Sequence, residues 1–448
     1  MSDKTTLAFP IAEPAPTGSV DLRHGDCLEV LRSLDDNSVD SVTTDPPYGL
    51  SNTKPAQVAD VLAAWVTGDT EAVPAKKGGF MGADWDSFVP PPAVWAECLR
   101  VLKPGGHMAV FAGARTQDLM GLAIRLAGFE IRDTLGWIQG AGFPKSMDVS
   151  KAIDKAAGAE REVVGTRKKL DSYGQQAGNN VYGGGPNHDG LQAITIPASD
   201  AARQWSGWGT ALKPAIEPII LARKPLDGTV AANVLAHGVG GLNIDGCRVS
   251  TDEKLQGSTV RDDMRGGAYG SGAKPNPGDI ADYAQNPAGR FPANVLLDEH
   301  AAKEMDEQSG MSVSRANTKS DERGAENSHI FASASLGRRD QSNSHNDSGG
   351  ASRFFPVFKY QAKAPKKERP VIVRENGTKI AHPTVKPLAL MSWLVTLITP
   401  EGGTTLDPFA GTGTTLQAAL DKGFNAIGVE QDEDYIQLIG ERLGWSAA

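Results

Sequence analysis

Cysteine is scarce in this chain. Its 448 residues include three, Cys27, Cys98 and Cys247, far apart, with no C-x-x-C and no nearby histidine pair. Neither a disulfide framework nor a zinc site is indicated, and a reduced, cytoplasmic setting is expected. Long apolar runs are missing as well. No stretch approaches the roughly 18 apolar residues that span a bilayer, and the Pro- and Ala-containing N-terminus lacks the basic-then-apolar order of a signal peptide. A membrane is therefore not an expected partner, and residues 1–18 are expected to form a flexible tail. Nor is there an excess of basic charge: 45 Lys and Arg against 54 Asp and Glu give a formal net charge of -9. That balance counts mildly against a polyanionic partner, because neutralising phosphates requires cationic side chains.

What is present is unevenly distributed. Between Arg353 and Lys379 the chain carries Arg353, Lys359, Lys363, Lys366, Lys367, Arg369, Arg374 and Lys379 against only Glu368 and Glu375. This stretch is a candidate phosphate-contacting strip; the alternative is a solvated charged loop. Glycine is abundant, with 51 copies that crowd between Gly174 and Gly350, which predicts long loops there and compact structure at the two ends. From Val20 to about Gly140 short apolar runs alternate with amphipathic stretches, as in α/β proteins. Val39–Thr44 reads as a strand ending at Asp45-Pro46-Pro47-Tyr48. Val94–Leu102 reads as a helix stopped by Lys103-Pro104-Gly105-Gly106, followed by a buried strand over 107–112. Gln117–Ala127 reads as a helix, and 130–138 and 216–222 as strands. After a polar, Gly-, Ser- and Asn-rich middle, part of which is expected to be disordered, order returns. A helix over 388–398, a strand running into Asp407, a helix over 416–422, a strand ending at Glu430 and a last helix over 434–443 are predicted.

The phrase Asp407-Pro408-Phe409-Ala410-Gly411-Thr412-Gly413 sets glycines at the carboxyl end of a strand, where a ligand can approach bare backbone. The next strand ends in Glu430, whose carboxylate can accept both hydroxyls of a ribose. This is the nucleoside-binding arrangement of a doubly wound sheet. A nicotinamide fingerprint needs a third glycine where Leu416 stands, and no phosphate loop is present. Asp407 suits a cofactor with a positively charged amino acid end.

Asp45-Pro46-Pro47-Tyr48 falls on the same rim. An aromatic amino group is a poor nucleophile because its lone pair is delocalised into the ring. Acceptors that take its N–H protons draw the nitrogen toward tetrahedral geometry. The Asp45 carboxylate and the Pro46 carbonyl are suited to this, the prolines hold that carbonyl rigidly, and Tyr48 offers a face for stacking. A base treated in this way must be turned out of its duplex. As an isolated tetrapeptide the phrase also reads as a rigid turn closing a strand. His382-Pro383-Thr384-Val385-Lys386-Pro387 carries hydroxyl, backbone and cationic groups for a cofactor carboxylate, or forms a Pro-bounded helix entry. Asp26, in the Gly25-Asp26-Cys27 phrase, faces a cofactor amino group or caps a helix.

Taken together in this order, the three phrases resemble the amino-group DNA methyltransferases of the permuted, beta-type arrangement, over roughly 20–138, 208–225 and 382–443. The resemblance implies a Rossmann-like α/β fold, a doubly wound and mostly parallel sheet, with a large irregular target-recognition region. It divides the chain into a catalytic half at 19–139, an insertion at 140–207, a last sheet strand at 208–225, a recognition region at 226–380 and a cofactor half at 381–448. It assigns catalysis to Asp45, Pro46, Pro47 and Tyr48. S-adenosylmethionine falls to Asp26, Cys27, His382, Thr384, Lys386, Pro387, Asp407, Pro408, Phe409, Gly411, Thr412, Gly413, Glu430 and Gln431. Arg353, Lys359, Lys363, Lys366 and Lys367 are left to contact double-stranded DNA. It implies direct methyl transfer, with no metal and no covalent enzyme intermediate. Asp45, where a serine often marks the cytosine N4 enzymes, points to adenine N6. A homodimer and a cognate restriction endonuclease are candidate partners by resemblance alone. The other readings are a DNA-binding regulator on the same scaffold without activity, and an enzyme acting on RNA or a protein amide. The segment Gly79–Asp86 is a candidate cover for the cofactor, a DNA contact or a plain surface loop.

Overall fold

Apolar runs bounded by Gly and Pro become the strands of one large sheet. The computed structural model describes residues 18–51, 53–74, 86–140, 146–168, 191–251, 288–313, 348–358, 369–374, 377, 379–382 and 384–445. The expected tail at 1–17, the segment 79–85 and Lys359, Lys363, Lys366 and Lys367 lie outside the described residues. In chain order the first elements are β1 (Val20–His24), α1 (Cys27–Arg32), β2 (Val39–Thr44), α2 (Pro55–Thr67), α3 (Pro92–Val101), β3 (Leu102–Phe111), α4 (Gln117–Leu126) and β4 (Glu130–Ile138). Then come α5 (Val149–Ala156), β5 (Val163–Lys168), β6 (Leu191–Thr195), α6 (Asp200–Gln204), β7 (Ile216–Arg223), α7 (Val230–His237), β8 (Val295–Asp298) and α8 (Glu299–Ser309). Five two-residue strands follow: β9 (Ser312–Val313), β10 (Ser348–Gly349), β11 (Val357–Phe358), β12 (Ile372–Val373) and β13 (Lys379–Ile380). The chain closes with α9 (Leu388–Ile398), β14 (Thr404–Asp407), α10 (Thr414–Asp421), β15 (Asn425–Glu430) and α11 (Glu433–Leu443).

Two units emerge. The first comprises Met1–Asn243, Asn294–Ala301 and Phe358–Ala448; the second comprises Ile244–Ala293 and Ala302–Val357. In the first unit the strands run β1-β15-β14-β2-β3-β7-β4-β8. Only β7 is reversed, pairing antiparallel with β3 and β4, while the other neighbours pair parallel. The fold is thus the α/β, mostly parallel sheet of a Rossmann-like protein. β14 is followed across the sheet by β15 on one side and β2 is followed by β3 on the other, so the strand order reverses between β14 and β2. A crevice at the carboxyl ends of such strands is where open α/β sheets bind ligands.

The core explains the strand limits. All six residues of β2 are buried, as expected for a central strand covered on both faces. Leu31, Trp95, Cys98, Leu102, Met108, Met120 and Ile124 are fully buried beside it. Each large apolar side chain removed from water contributes about 1.5–3 kcal/mol. One expectation shifts: Lys103-Pro104-Gly105-Gly106 does not separate helix from strand, because β3 begins at Leu102. Leu102 pairs with Val39 and His107 with Ser41, so the four residues form a bulge opposite Asp40. The sheet also continues into the Gly-rich middle, where β8 pairs with β4 through Val295, Leu296 and Leu297.

The second unit is held by local polar bonds. Asp306 accepts from the backbone N–H and hydroxyl of Ser352 at 2.8 and 2.7 Å. The Arg290 and Arg353 guanidinium groups lie 4.9 and 4.2 Å from the Phe354 ring centroid. Among the described residues no helix is long and apolar enough to cross a membrane.

Candidate active site

Because β2 and β14 are parallel neighbours, their terminal phrases share one rim of the first unit. They line a single cavity of about 1540 Å³ with Asp45, Pro46, Pro47 and Tyr48 on one wall, and Asp407, Pro408, Phe409, Gly411, Thr412, Glu430 and Gln431 on another. Asp26, Cys27, His382, Thr384, Lys386 and Pro387 complete the enclosure.

The Asp45 turn is pinned at its carboxyl end, from two sides. The Tyr48 and Gly49 backbone N–H groups donate to Asp86 Oδ1 at 2.7 and 2.9 Å, and Thr116 donates to the Tyr48 carbonyl at 2.6 Å. Asp86 is the one member of the Gly79–Asp86 segment among the described residues, and its side chain is built into this turn. The Tyr48 hydroxyl donates to Asp45 Oδ1 at 2.7 Å, and Lys386 Nζ donates to Asp45 Oδ2 at 2.7 Å and to the Tyr48 oxygen at 2.9 Å. Glu217 on β7 stands 3.4 Å from the same ammonium and accepts from Gln139 at 2.6 Å. Burial works against the charge on Lys386, but Asp45 and then Glu217 outweigh it and hold the ammonium above the usual lysine range. Burial, reinforced by Asp45 and Glu217, pushes the Tyr48 phenol well up. This phenol is a neutral donor. Glu217 and Gln139 were not among the residues expected from sequence, although a lone acid inside the apolar run 216–222 is a visible signal.

On the opposite wall Asp407 is buried and its carboxylate is engaged internally. Oδ1 accepts from Thr44 Oγ1 at 2.6 Å and the Phe409 N–H at 3.1 Å, and Oδ2 accepts from Thr415 Oγ1 at 2.5 Å. Burial raises its carboxyl to about 6, against the opposing pull of Thr415 and Thr44. Glu430 Oε2 accepts from the Gly411 N–H at 2.8 Å, and Oε1 from the Gln431 and Asp432 N–H groups at 2.9 Å each. These are three of the roughly four acceptor positions of a carboxylate. Burial raises the Glu430 carboxyl, and the backbone donors oppose it. Gly411 takes φ 55°, and a Cβ built there would meet nothing nearer than the His382 ring at 3.6 Å.

Other residues are placed differently from one another. Gly413 is not on the cavity wall: with φ 73° it caps α10, and a Cβ there would meet Ile439 at 3.1 Å, so its bareness serves helix packing. Asp26 caps α1, accepting from the Leu28 and Glu29 N–H groups at 2.9 and 3.2 Å, while lining the cavity. The Cys27 thiol is pushed up to about 12, first by burial and then by the charge of Asp26. His382 Nδ1 closes a turn with the Thr384 backbone, and its ring stacks edge-on against Tyr435 at 4.7 Å. Thr412 is tied to Arg442 through its carbonyl and hydroxyl. Of the basic strip, Arg353 lies in the second unit and donates to the Gly349 and Gly350 carbonyls at 2.8 and 2.7 Å. That bonding commits Arg353 to local backbone. Arg374 pairs with Asp434, and Arg369 lines the cavity.

Fold and cavity define an α/β protein with a ligand-sized crevice at the carboxyl ends of its strands and an acceptor-rich second wall. Comparison narrows the class. The DNA methylase family described as N6_N4_Mtase matches residues 195–441, more than half of the chain, and the chain belongs to this family of S-adenosylmethionine-dependent methyltransferases. Type II methyltransferase M.BglI of Bacillus subtilis is 47% identical over 71 residues, 16% of this chain and 20% of that protein. Type II methyltransferase M.HindIII of Haemophilus influenzae is 44% identical over 63 residues, 14% of this chain and 20% of that protein. The matched stretch thus spans about a fifth of the length of these curated relatives. Among solved structures, the cytosine-N4-specific PvuII DNA methyltransferase aligns over 95% of this chain and 87% of its own at 12% identity, with a TM-score of 0.40.

Proposed function

We propose that this protein is a DNA methyltransferase that methylates adenine N6 of a base turned out of double-stranded DNA, at a specific sequence. The observation that carries the reading is that Asp45, Tyr48, Gly411 and Glu430 line one cavity. Its volume of about 1540 Å³ exceeds the roughly 300–1,000 Å³ of an ordinary small-molecule site. There is room for a nucleoside cofactor and a base together.

The chain's own residues fit S-adenosylmethionine. Gly411 keeps its side of the cavity clear, Glu430 retains acceptor capacity for a ribose hydroxyl, and Phe409 and Pro408 give an apolar surface. The Thr384 hydroxyl is a donor for a carboxylate, and Pro387 borders it with apolar surface. When bound, this cofactor supplies a methyl group on a sulfonium. Asp45 supplies the acceptor: Tyr48 and Lys386 each occupy one lone pair of its oxygens, which leaves about two for the amino N–H of a base. The Pro46 carbonyl is the second acceptor, held by a turn that Asp86 and Thr116 fix in place. Acceptors positioned in advance stabilise the developing charge on nitrogen without reorganising as it reacts. No enzyme nucleophile is needed, which agrees with the raised thiol of Cys27.

Adenine is preferred over cytosine because Asp45 opens the phrase where a serine often marks the cytosine N4 enzymes. The relatives' designation as Type II methyltransferases supports a modification role beside a cognate endonuclease. To test the reading, DNA is incubated with the protein and labelled cofactor, digested to nucleosides and analysed by mass spectrometry, with an RNA competitor in parallel. N6-methyladenine in DNA is expected. N4-methylcytosine moves the target base, and transfer to RNA or to neither polymer overturns the proposal.

A further inference from the structure

Lys386 belongs, by sequence, to the phrase at 382–387 that reads as a seat for the cofactor's carboxylate. Its position in the fold argues for another task. An ammonium has three N–H donors and no acceptor. One donates to Asp45 Oδ2 at 2.7 Å and one to the Tyr48 oxygen at 2.9 Å, while Glu217 stands at 3.4 Å for the third. The third N–H stands in the ion pair with Glu217, so a further carboxylate would have to compete with two already in place.

The local charge points the same way. Two carboxylates, Asp45 and Glu217, share one ammonium, so this corner of the cavity is net negative and repels an anionic group. The lysine side chain is 11% exposed. A buried charge of this kind persists only when it is well paired. Its nitrogen also lies 4.7 Å from the Phe111 ring centroid and 5.2 Å from that of Tyr48, so aromatic faces help to hold it.

The proton arrangement is then determined. Because Lys386 can only donate, the Tyr48 oxygen accepts from it, and the Tyr48 hydroxyl proton is left to donate to Asp45 Oδ1. Both Asp45 oxygens are fixed from the side, and their remaining lone pairs are left for a substrate. Glu217, anchored by Gln139, keeps the ammonium from leaning wholly onto Asp45.

We infer that Lys386, together with Glu217, is the positioning element for the Asp45 carboxylate and the Tyr48 hydroxyl, and is not a ligand of the cofactor. The inference rests on the reading of Asp45 as the acceptor for the substrate's amino group. Its decisive test begins with the crystal structure of the whole protein with S-adenosylmethionine. Lys386 Nζ is expected to remain within hydrogen-bond distance of Asp45 and Tyr48; finding it on the cofactor's carboxylate overturns the inference. This outcome needs no turnover, so it is decided even where the wild-type protein transfers no methyl group and the proposed function fails. Kinetics supply the second arm. Lys386→Met is expected to bind S-adenosylmethionine within about threefold of wild type by calorimetry, while single-turnover transfer at saturating cofactor falls by about 100-fold. Lys386→Arg, which keeps the charge, is expected to recover at least about tenfold of that loss. A Met variant that binds the cofactor more than about tenfold more weakly yet transfers at the wild-type rate when saturated overturns the inference. Should the Met variant not fold, the Arg variant and the wild-type complex still decide it.

Discussion

Strands β2 and β14 lie side by side, run the same way and lead out through the same dipeptide, Asp45-Pro46 and Asp407-Pro408. Their environments diverge within two residues of strand. Leu406 pairs with Val42, so Asp407 stands level with Thr43, while Asp45 lies two positions farther out. Asp407 is 2% exposed and is bonded to Thr44, Thr415 and the Phe409 backbone. The Asp45 side chain is 25% exposed and meets a lysine and a phenol on the cavity wall. One aspartate is built into the rim, and the other, on the function proposed above, works on it. The residue type decides neither role; the distance from the sheet's last hydrogen-bonded pair does.

The largest effect should come from breaking the working side. Asp45→Ala is expected to lower single-turnover methyl transfer by about 100- to 1,000-fold, the range seen when one preorganised electrostatic partner is removed. Cofactor affinity should stay within a few fold. Retained turnover in a tritium-transfer assay would show that Asp45 is not the acceptor.

Asp407→Asn probes the building side, and its signature is in stability against pH. Burial raises the folded carboxyl to about 6, above the roughly 3.9 of an unfolded aspartate. Folding therefore takes up a proton between these values. The contribution is fully present below about pH 4 and is lost as pH rises through about 6. Wild type should thus exceed the Asn variant in stability at pH 4 by on the order of 3 kcal/mol more than it does at pH 7. Urea titrations of both proteins at the two pH values measure the difference. A stability gap independent of pH removes the argument.

Much of this comparison was readable before folding, and the remainder was not, for a definite reason. α9 falls where the sequence puts it because it is a compact apolar run closed by Pro and Gly, and β2 and β4 because β-branched and aromatic residues recur in short stretches closed by Pro, Gly or a charged turn. The helix before 103–106 ends as expected, but β3 starts at Leu102 and not at His107, because Pro-Gly-Gly stops a helix and bulges a strand with the same residues. The aspartates could not be told apart because their partners are remote: Lys386 reaches Asp45 across 341 positions, and Thr44 reaches Asp407 across 363. Gly411 and Gly413 look alike in sequence for the same reason. Only the arrival of α11, with Ile439, separates the glycine that clears space from the one that fits a helix.

That distinction is itself testable. Gly411→Val places a branched side chain at φ 55°, a conformation that costs such residues about 1–3 kcal/mol, and fills the side of the cavity next to His382. Cofactor affinity is expected to weaken by about 10- to 100-fold, with transfer recovering at saturating cofactor. Unchanged affinity by calorimetry would move the cofactor away from the glycine turn.

The smallest effect is expected at Cys27, and its smallness is informative. The thiol lines the same cavity as Asp45, yet burial and then Asp26 raise it to about 12, so almost none is thiolate near neutral pH. Nucleophilic chemistry by a cysteine at this rim therefore predicts the opposite of what the acceptor mechanism predicts. Cys27→Ser should transfer methyl groups within about twofold of wild type, since a hydroxyl of similar size replaces a group that takes no part. Iodoacetamide at pH 8 should leave Cys27 largely unmodified over a period that labels an ordinary exposed thiol, as peptide mass spectrometry can measure. Rapid alkylation accompanied by loss of transfer would mean that the reacting centre lies on the Cys27 side of the cavity, and the division of labour between Asp45 and Asp407 would have to be redrawn around it.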